Sequence, residues 1–270
     1  MRARVYTSCR AASHEMELPR LELAPGIEAV GLGLYIRSLS ALVVADLHIG
    51  YEQALEASGI YLPAVQHRIM KRFILEALDQ LEVERLILLG DVKHEFGSAL
   101  RQEWSETIDL LSTLKDRGLR VDVVRGNHDN FLIPMLKRLG VPLHDPYLRE
   151  GGFLLTHGHK ELPLDAWSGD VKYVIMAHEH PAIVLRDELG VKIKLKCFLK
   201  GRLGSATLIV LPALSPLMPG TEVNSPDARF LSPILRQVDV ESFLVYAVDM
   251  GSGVYDFGSL GLLRRLLLEL

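Results

Sequence analysis

Five short apolar runs in this chain each stop at a residue able to bind a metal ion, and that restricts the folds open to it. Residues 41–45 end at Asp46, two before His48, and residues 85–89 end at Gly90-Asp91. Residues 120–124 lead into Gly126-Asn127-His128-Asp129, residues 153–156 end at His157, and residues 173–177 end at His178, two before His180. Runs of four or five residues rich in Val, Ile and Leu read as strands buried on both faces. Between them the pattern takes a helical period: residues 64–80 carry Val65, Ile69 and Phe73 on one side, and a second helix over 99–115 stops near Gly118. Such alternation predicts an α/β protein. In α/β sheets, ligands bind in the crevice beyond the carboxyl ends of the strands, so five strand ends would converge on one place.

Taken singly, each motif has an ordinary explanation: Asp-x-His can cap a turn or sit on the surface, and Gly-Asn-His-Asp can be a turn. Five coincidences with seven of the ten histidines in or beside these strand ends need a shared cause. Imidazole nitrogen with carboxylate oxygen suits Mn, Fe or Zn, whereas an all-oxygen cage suits Mg or Ca. No cysteine lies near, which excludes a structural zinc knuckle. Two ions about 3.5–4 Å apart need a carboxylate that bridges them, and Asp91 on the second strand is placed for it. Such ions make hydroxide from water near neutral pH and neutralise charge on phosphate oxygens, which is the chemistry of phosphoester hydrolysis. His128, directly after Asn127, then faces substrate as a general acid for the leaving oxygen or as a cation for the transition state. Asp129 either orients that imidazole or caps the following turn, and orientation is the expected role.

In order, Asp46-Leu47-His48, Gly90-Asp91, Gly126-Asn127-His128-Asp129, His157-Gly158-His159 and Ala177-His178-Glu179-His180 resemble the calcineurin-like metallophosphoesterase family over about residues 42–181. The resemblance implies a four-layer α/β/β/α sandwich of two mixed sheets. It implies one ion held at Asp46, His48, Asp91 and His180, and a second at Asp91, Asn127, His157 and His178, with Asp91 bridging and His128 as the catalytic histidine. Two departures stand out: Ala177 where many members have Gly, and Val92-Lys93-His94-Glu95-Phe96 in place of a small acidic continuation. The second, with Leu211-Pro212-Ala213 and Ser215-Pro216-Leu217, resembles an archaeal and bacterial subgroup related to the recombination nuclease subunit SbcD and to ligase-associated phosphoesterases.

That subgroup implies cleavage of DNA phosphodiesters, with two divalent ions that are typically manganese (Fe, Zn or Ni as alternatives). Homodimerisation and association with DNA repair proteins are further expectations from such relatives. A small-molecule phosphoesterase, acting on cyclic nucleotides or phosphomonoesters, stays open because the chain has no large insertion to form a capping domain over a duplex. A non-catalytic scaffold is disfavoured because all eight family positions are filled.

Other residues are less constrained. His94 either contacts a substrate phosphate or orients a metal ligand, His159 either meets substrate on the rim or is a satisfied structural histidine, and Asn127 is expected to meet substrate as well as metal. Glu179 is expected to point to solvent. Lys192, Lys194 and Lys196, with Lys200 and Arg202 beyond, fall on one face of a strand, either as a solvated face or as a stripe tracking phosphates. The net charge of −4 gives no global basic field, and the aromatics, 7% and dispersed, offer no evident stacking platform. Cys9 and Cys197 form no plausible disulfide framework, the N-terminus has no signal-type run, and no apolar stretch reaches the ~18 residues of a membrane span, so a cytoplasmic protein is expected.

The chain reads as one domain over 1–270, with 25–185 carrying the metal motifs and 186–270 completing the second sheet and a C-terminal helix. A lead-in hairpin is predicted at 27–30 and 34–37, and β-only texture at 182–185, 191–197, 207–211 and 243–248. An amphipathic helix over 260–270 closes the chain, as an intramolecular docking helix in preference to a dimer contact. The five prolines of 212–233 read as an ordered extended loop.

Overall fold

The computed structural model describes residues 17–95, 101–167, 169–186 and 189–268. Cys9, the expected helix start at 99–100 and the tail at 269–270 lie outside the described residues. Seven strands lie in chain order in the first sheet: β1 (Arg20–Ala24), β2 (Ile27–Val30), β3 (Gly33–Ile36), β4 (Ala41–Val44), β5 (Arg85–Leu89), β6 (Arg120–Val124) and β7 (Leu143–His144). The first four pair antiparallel, and β4 to β7 pair parallel. Parallel neighbours need a crossover, usually helical. Here α1 (Tyr51–Ala57) and α2 (Gln66–Gln80) link β4 to β5, α3 (Arg101–Asp116) links β5 to β6, and α4 (Ile133–Leu139) links β6 to β7.

The second sheet has nine strands: β8 (Tyr147–Glu150), β9 (Phe153–Thr156), β10 (Tyr173–Met176), β11 (Pro181–Arg186), β12 (Lys192–Leu203), β13 (Ala206–Val210), β14 (Thr221–Glu222), β15 (Leu244–Asp249) and β16 (Gly253–Ser259), with α5 (Leu260–Leu268) after it. Its path runs β14-β11-β12-β13-β10-β9-β8, with β15 also paired to β12 and β16 beyond it. β10 is parallel to both β9 and β13, while the pairings of β12 are antiparallel.

The alternation of side chains along each strand makes the layers. Val43, Ile87 and Leu89 meet Leu155, Ile175 and Ile209 of the second sheet in the central core. Their neighbours Leu42, Val44, Leu86 and Leu88 face the other way, onto Met70, Phe73 and Ile74 of α2 and Leu110, Leu111 and Leu114 of α3. On the far side of the second sheet, Leu154, Val174, Met176 and Leu208 pack on Leu235, Leu260 and Leu263. Both faces of the parallel strands are therefore apolar, which is why they read as continuous runs. The result is an α/β/β/α sandwich whose fourth layer is thin, one helix (α5) supplemented by short 3₁₀ turns at Leu164–Trp167 and Leu235–Gln237. In α5, Leu260 and Leu263 point inward and Leu262 and Leu266 remain exposed. Among the described residues no helix is long and apolar enough to cross a membrane.

Several elements differ from expectation. β12 continues to Leu203 because Lys200-Gly201-Arg202, polar enough to suggest a turn, pairs with Leu208, Ile209 and Thr207 of β13. β1, β7, β8, β14 and β16 and the seven-residue helices α1 and α4 were not anticipated, being short or mixed in polarity. The proline-rich loop is tied to the end of β4: Leu214 N–H donates to Ala45 O at 2.9 Å and Ser215 N–H to Asp46 O at 3.2 Å.

Candidate metal centre

The carboxyl ends of β4, β5 and β6 in one sheet and of β9 and β10 in the other face a common crevice. Asp46, His48, Asp91, His178 and His180 there adopt φ between 46° and 67°, and Ser40 is the one other non-glycine residue with positive φ among the described residues. A left-handed backbone is costly for such side chains and persists where function or surrounding structure demands it. At these strand ends it turns the side chain sharply out of the strand and into the crevice. Gly90, φ +85°, precedes Asp91 because a Cβ there would lie 2.3 Å from His157 Nδ1.

The side chains form three groups able to hold an ion, Asp46-His48-His180, Asp91-His157-His178 and, sharing His48, His48-His94-His128, each with its ligand atoms within 4.8 Å of one another. Asp91 Oδ2 lies 3.2 Å from His157 Nε2, 3.9 Å from His48 Nε2 and 3.8 Å from His128 Nε2. His180 Nε2 is 3.1 Å from Asp46 Oδ1, and Asn127 Oδ1 is 3.2 Å from His157 Nε2. Asp46 Oδ1, His48 Nε2 and His180 Nε2 are buried and make no hydrogen bond. Buried polar atoms without partners are costly, and three of them on one set of ligands fit a divalent cation. On the second set, His157 Nδ1 donates to Leu89 O at 3.0 Å, which leaves Nε2 as the ligand atom.

The electrostatics agree. Burial pushes His48 down to about 3 and His178 to about 4, so both imidazoles are neutral. Burial also opposes protonation of His157, but Asp91 and Asp46 beside it prevail and raise it to about 9. Burial opposes ionisation of Asp91 too, and His157 beside it holds its carboxyl well below the usual range. The carboxylates attract positive charge into the crevice, and the proton on His157 supplies part of it.

Residues 39–188 match the family described as calcineurin-like phosphoesterase. The chain belongs to that family. This calcineurin-like phosphoesterase is thereby a metal-dependent phosphohydrolase. Its fold is similar to that of Pseudomonas putida nuclease MPE, with a TM-score of 0.62 and 20% identity over 89% of this chain and 100% of that one. It also aligns with Yfce, a phosphoesterase from E. coli, at a TM-score of 0.41 and 16% identity over 81% of this chain and 98% of that one. No curated protein matches the sequence.

Around the cage of this phosphoesterase, other residues take places the sequence did not suggest. Asp129 is fully buried, and its carboxylate accepts from the N–H groups of Gly126 (2.8 Å), Asp91 (2.9 Å) and Val92 (2.9 Å). It braces the Asp91 loop against the Asn127 loop, and burial with the nearby Asp91 raises its carboxyl to about 6. His128 meets the carbonyl oxygen of His94 through Nδ1. His94 Nδ1 lies 3.4 Å from His48 Nδ1, and its ring rests on Tyr51 with centroids 4.1 Å apart. His159 packs beside His157, ring centroids 5.3 Å apart, and its Nδ1 is buried without a hydrogen bond, so it is not a satisfied structural histidine.

Glu179 does not reach solvent. It is fully buried and accepts from the N–H groups of Leu231 at 2.9 Å and Ser232 at 3.0 Å, fastening the 231–232 segment to the turn between His178 and His180. Gln66, 1% exposed, donates to the carbonyls of Leu47 and His48 at 2.7 and 3.0 Å, and nothing in its sequence context marked it.

Of the basic residues of β12, Lys192, Lys194 and Arg202 are exposed, as on a solvated face, whereas Lys196 and Lys200 turn inward. Lys196 Nζ donates to Ala213 O at 2.8 Å and to Ser215 O, and burial lowers it to about 8. Lys200 donates to Leu23 O at 2.6 Å, Arg202 to Ser205 O at 2.7 Å, and Lys194 pairs with Glu222 at 3.3 Å. Lys196 and Lys200 lie in the stretch of β12 where β15 also pairs, and their ammonium groups reach the carbonyls of the 213–215 loop and of β1.

Proposed function

We propose that this protein hydrolyses phosphodiester bonds, with DNA as substrate, at a two-metal centre held by Asp46, His48, Asp91, Asn127, His157, His178 and His180. The observation that carries this reading is the position of Asp91, whose Oδ2 sits between His157 Nε2 at 3.2 Å and His48 Nε2 at 3.9 Å, the two ligand clusters. Asp46, His48 and His180 are assigned to one ion, Asn127, His157 and His178 to the other, and Asp91 to both. When bound, such ions generate the attacking nucleophile from water and neutralise phosphate charge. Mixed imidazole and carboxylate donors accept Mn, Fe, Zn or Ni, and the resemblance to SbcD-related proteins points to manganese.

The protein's own residues supply the rest. A carbonyl can only accept, so the contact to His94 O requires the proton on His128 Nδ1 and directs Nε2 to the crevice. When Nε2 carries a proton as well, the ring can give that proton to the leaving oxygen and return to its Nδ1–H form, with Asp129 acting at one remove by holding Asp91. His94 and His159, on the rim, are assigned to the phosphodiester oxygens together with Asn127. The side chains of His128 and His180 keep 13% and 15% exposure, so the centre is reached from the surface, as a polymer backbone requires.

The choice of DNA is supported by the resemblance of the 92–96 and 211–217 segments to SbcD-related proteins, and by fold likeness to a protein named as a nuclease. A second reading, a small-molecule phosphodiesterase, is favoured by the inward-turned Lys196 and Lys200, which take two of the five charges of this face away from any phosphate-tracking surface. Cleavage of circular single-stranded DNA, linear duplex DNA and bis-p-nitrophenyl phosphate with manganese, beside the His128→Ala protein, separates the two. Loss of DNA with wild type alone supports the nuclease, and attack on the small diester without DNA cleavage moves the substrate to a small molecule.

A further inference from the structure

Glu103, in the first turn of α3, belongs to none of the metal motifs and is 1% exposed. A carboxylate so buried needs partners, and its partners lie in the segment that follows Asp91. Its Oε1 accepts from the N–H groups of Glu95 at 2.6 Å and His94 at 3.1 Å. Its Oε2 lies 3.6 Å from Nζ of Lys93, which is itself buried. Room for it comes from Gly50, φ +87°, where a Cβ would lie 2.1 Å from Glu103 Cγ.

The N–H of Glu95 and the C=O of His94 are the two polar ends of one planar peptide group. Glu103 holds the first end, and the second receives the Nδ1 proton of His128. We infer that Glu103 is a positioning residue for His128, acting through the 94–95 peptide. The carboxylate fixes the plane of that peptide and polarises it, since hydrogen bonds in a chain strengthen one another. The His94 oxygen is then a fixed and more negative acceptor for Nδ1–H, so the proton that a doubly protonated His128 gives up is the one on Nε2, toward the crevice, and the ring is left as the Nδ1–H tautomer. In the Ser-His-Asp arrangement a carboxylate orients a catalytic imidazole directly; here the carboxylate is one peptide removed.

The inference rests on the proposed role of His128 as proton donor to the leaving group, and the test keeps the two apart. Glu103→Ala, Glu103→Gln and His128→Ala are prepared as full-length, metal-loaded proteins and assayed on diphenyl phosphate and bis-p-nitrophenyl phosphate. Nitrophenolate leaves readily without a proton and phenolate does not, so loss of a general acid penalises the phenyl ester more. His128→Ala is expected to show that inequality strongly. Glu103→Ala is expected to show it more weakly, with kcat on the phenyl ester down about tenfold and KM little changed, and Glu103→Gln, whose amide oxygen still accepts, recovers part of the loss. Nitrogen-15 shifts of the zinc-loaded protein should show the Nδ1–H tautomer of His128 in wild type and a mixture in Glu103→Ala.

Equal losses on both esters in Glu103→Ala, or an unchanged tautomer, overturn the positioning role while leaving that of His128 intact. If His128→Ala itself shows no inequality, both fall. Should Glu103→Ala not fold, Glu103→Gln decides: a smaller but still unequal loss supports the role and an equal loss overturns it.

Discussion

Metal binding to this protein should release a proton, and the proton should come from His157. In the ion-free protein His157 is raised to about 9 by Asp91 at 3.2 Å and Asp46 at 3.8 Å, against the opposing effect of burial. At pH 7 only about 1 molecule in 100 then has this imidazole neutral. A metal takes the neutral form, so binding must expel the proton. His48 and His178, lowered to about 3 and 4, are already neutral and contribute none. Affinity should therefore rise about tenfold per pH unit between pH 7 and 9 and level off above. The same shift has a stability consequence in the ion-free protein. Because the folded value of His157 lies above its ordinary 6.5, its contribution is complete below pH 6.5 and is lost as pH rises through about 9.

Isothermal titration with manganese in two buffers of different ionisation enthalpy counts the protons directly. In Asp91→Asn, which removes the nearer carboxylate, the release at pH 7 should shrink. Zero protons released by wild type, or an affinity flat from pH 7 to 9, would refute the reasoning.

Other consequences follow from particular contacts. Asp129→Ala removes the acceptor of three N–H groups around Asp91 and should lower metal affinity by about 10- to 100-fold; a residue that served only to orient His128 would lower kcat at unchanged metal affinity, and a manganese titration tells these apart. Lys196→Met leaves the carbonyls of Ala213 and Ser215 without their donor and should cost about 2–3 kcal/mol in urea denaturation, while the salt slope of DNA binding stays that of wild type. Asp122, in the middle of β6, is fully buried between Arg85 (2.7 Å), Arg120 (2.9 Å) and His144 (2.7 Å). Asp122→Asn should destabilise by about 3–5 kcal/mol with activity per folded molecule retained. Burial opposes ionisation of Asp122, but the Arg85 bond prevails and lowers its folded value, so its contribution is present above pH 3.8 and lost as pH falls through that lowered value; an acid denaturation series of wild type and variant reads the difference.

The side chains gathered in the crevice were legible because each lies at or just beyond the end of an apolar run. Leu86-Ile87-Leu88-Leu89 can only be a strand buried on both faces, so Asp91 had to emerge at its carboxyl end. The bracing residues were not legible, because they act on backbone groups of other elements, at separations from 8 residues to 53. Glu103 reaches the 94–95 peptide, Glu179 the 231–232 amides and Gln66 the 47–48 carbonyls, and no spacing rule connects such pairs. The backbone bonds of Asp129 were hidden for a related reason: adjacency to His128 suggests a side-chain partner, and only the turn that begins at Asp129 shows its carboxylate reaching back to Gly126. The lysines of β12 obeyed the period of two, but period says which face they share and nothing of what covers that face.

The most direct test of the account is the metal content of the purified, manganese-reconstituted protein, measured by inductively coupled plasma mass spectrometry beside Asp91→Asn, with hydrolysis of bis-p-nitrophenyl phosphate followed in the same samples. Two ions per chain in wild type, fewer in Asp91→Asn, and hydrolysis that depends on the full complement are the predicted result. Two ions and full activity retained in Asp91→Asn, or a wild-type protein that hydrolyses the diester with no ion bound, would contradict it.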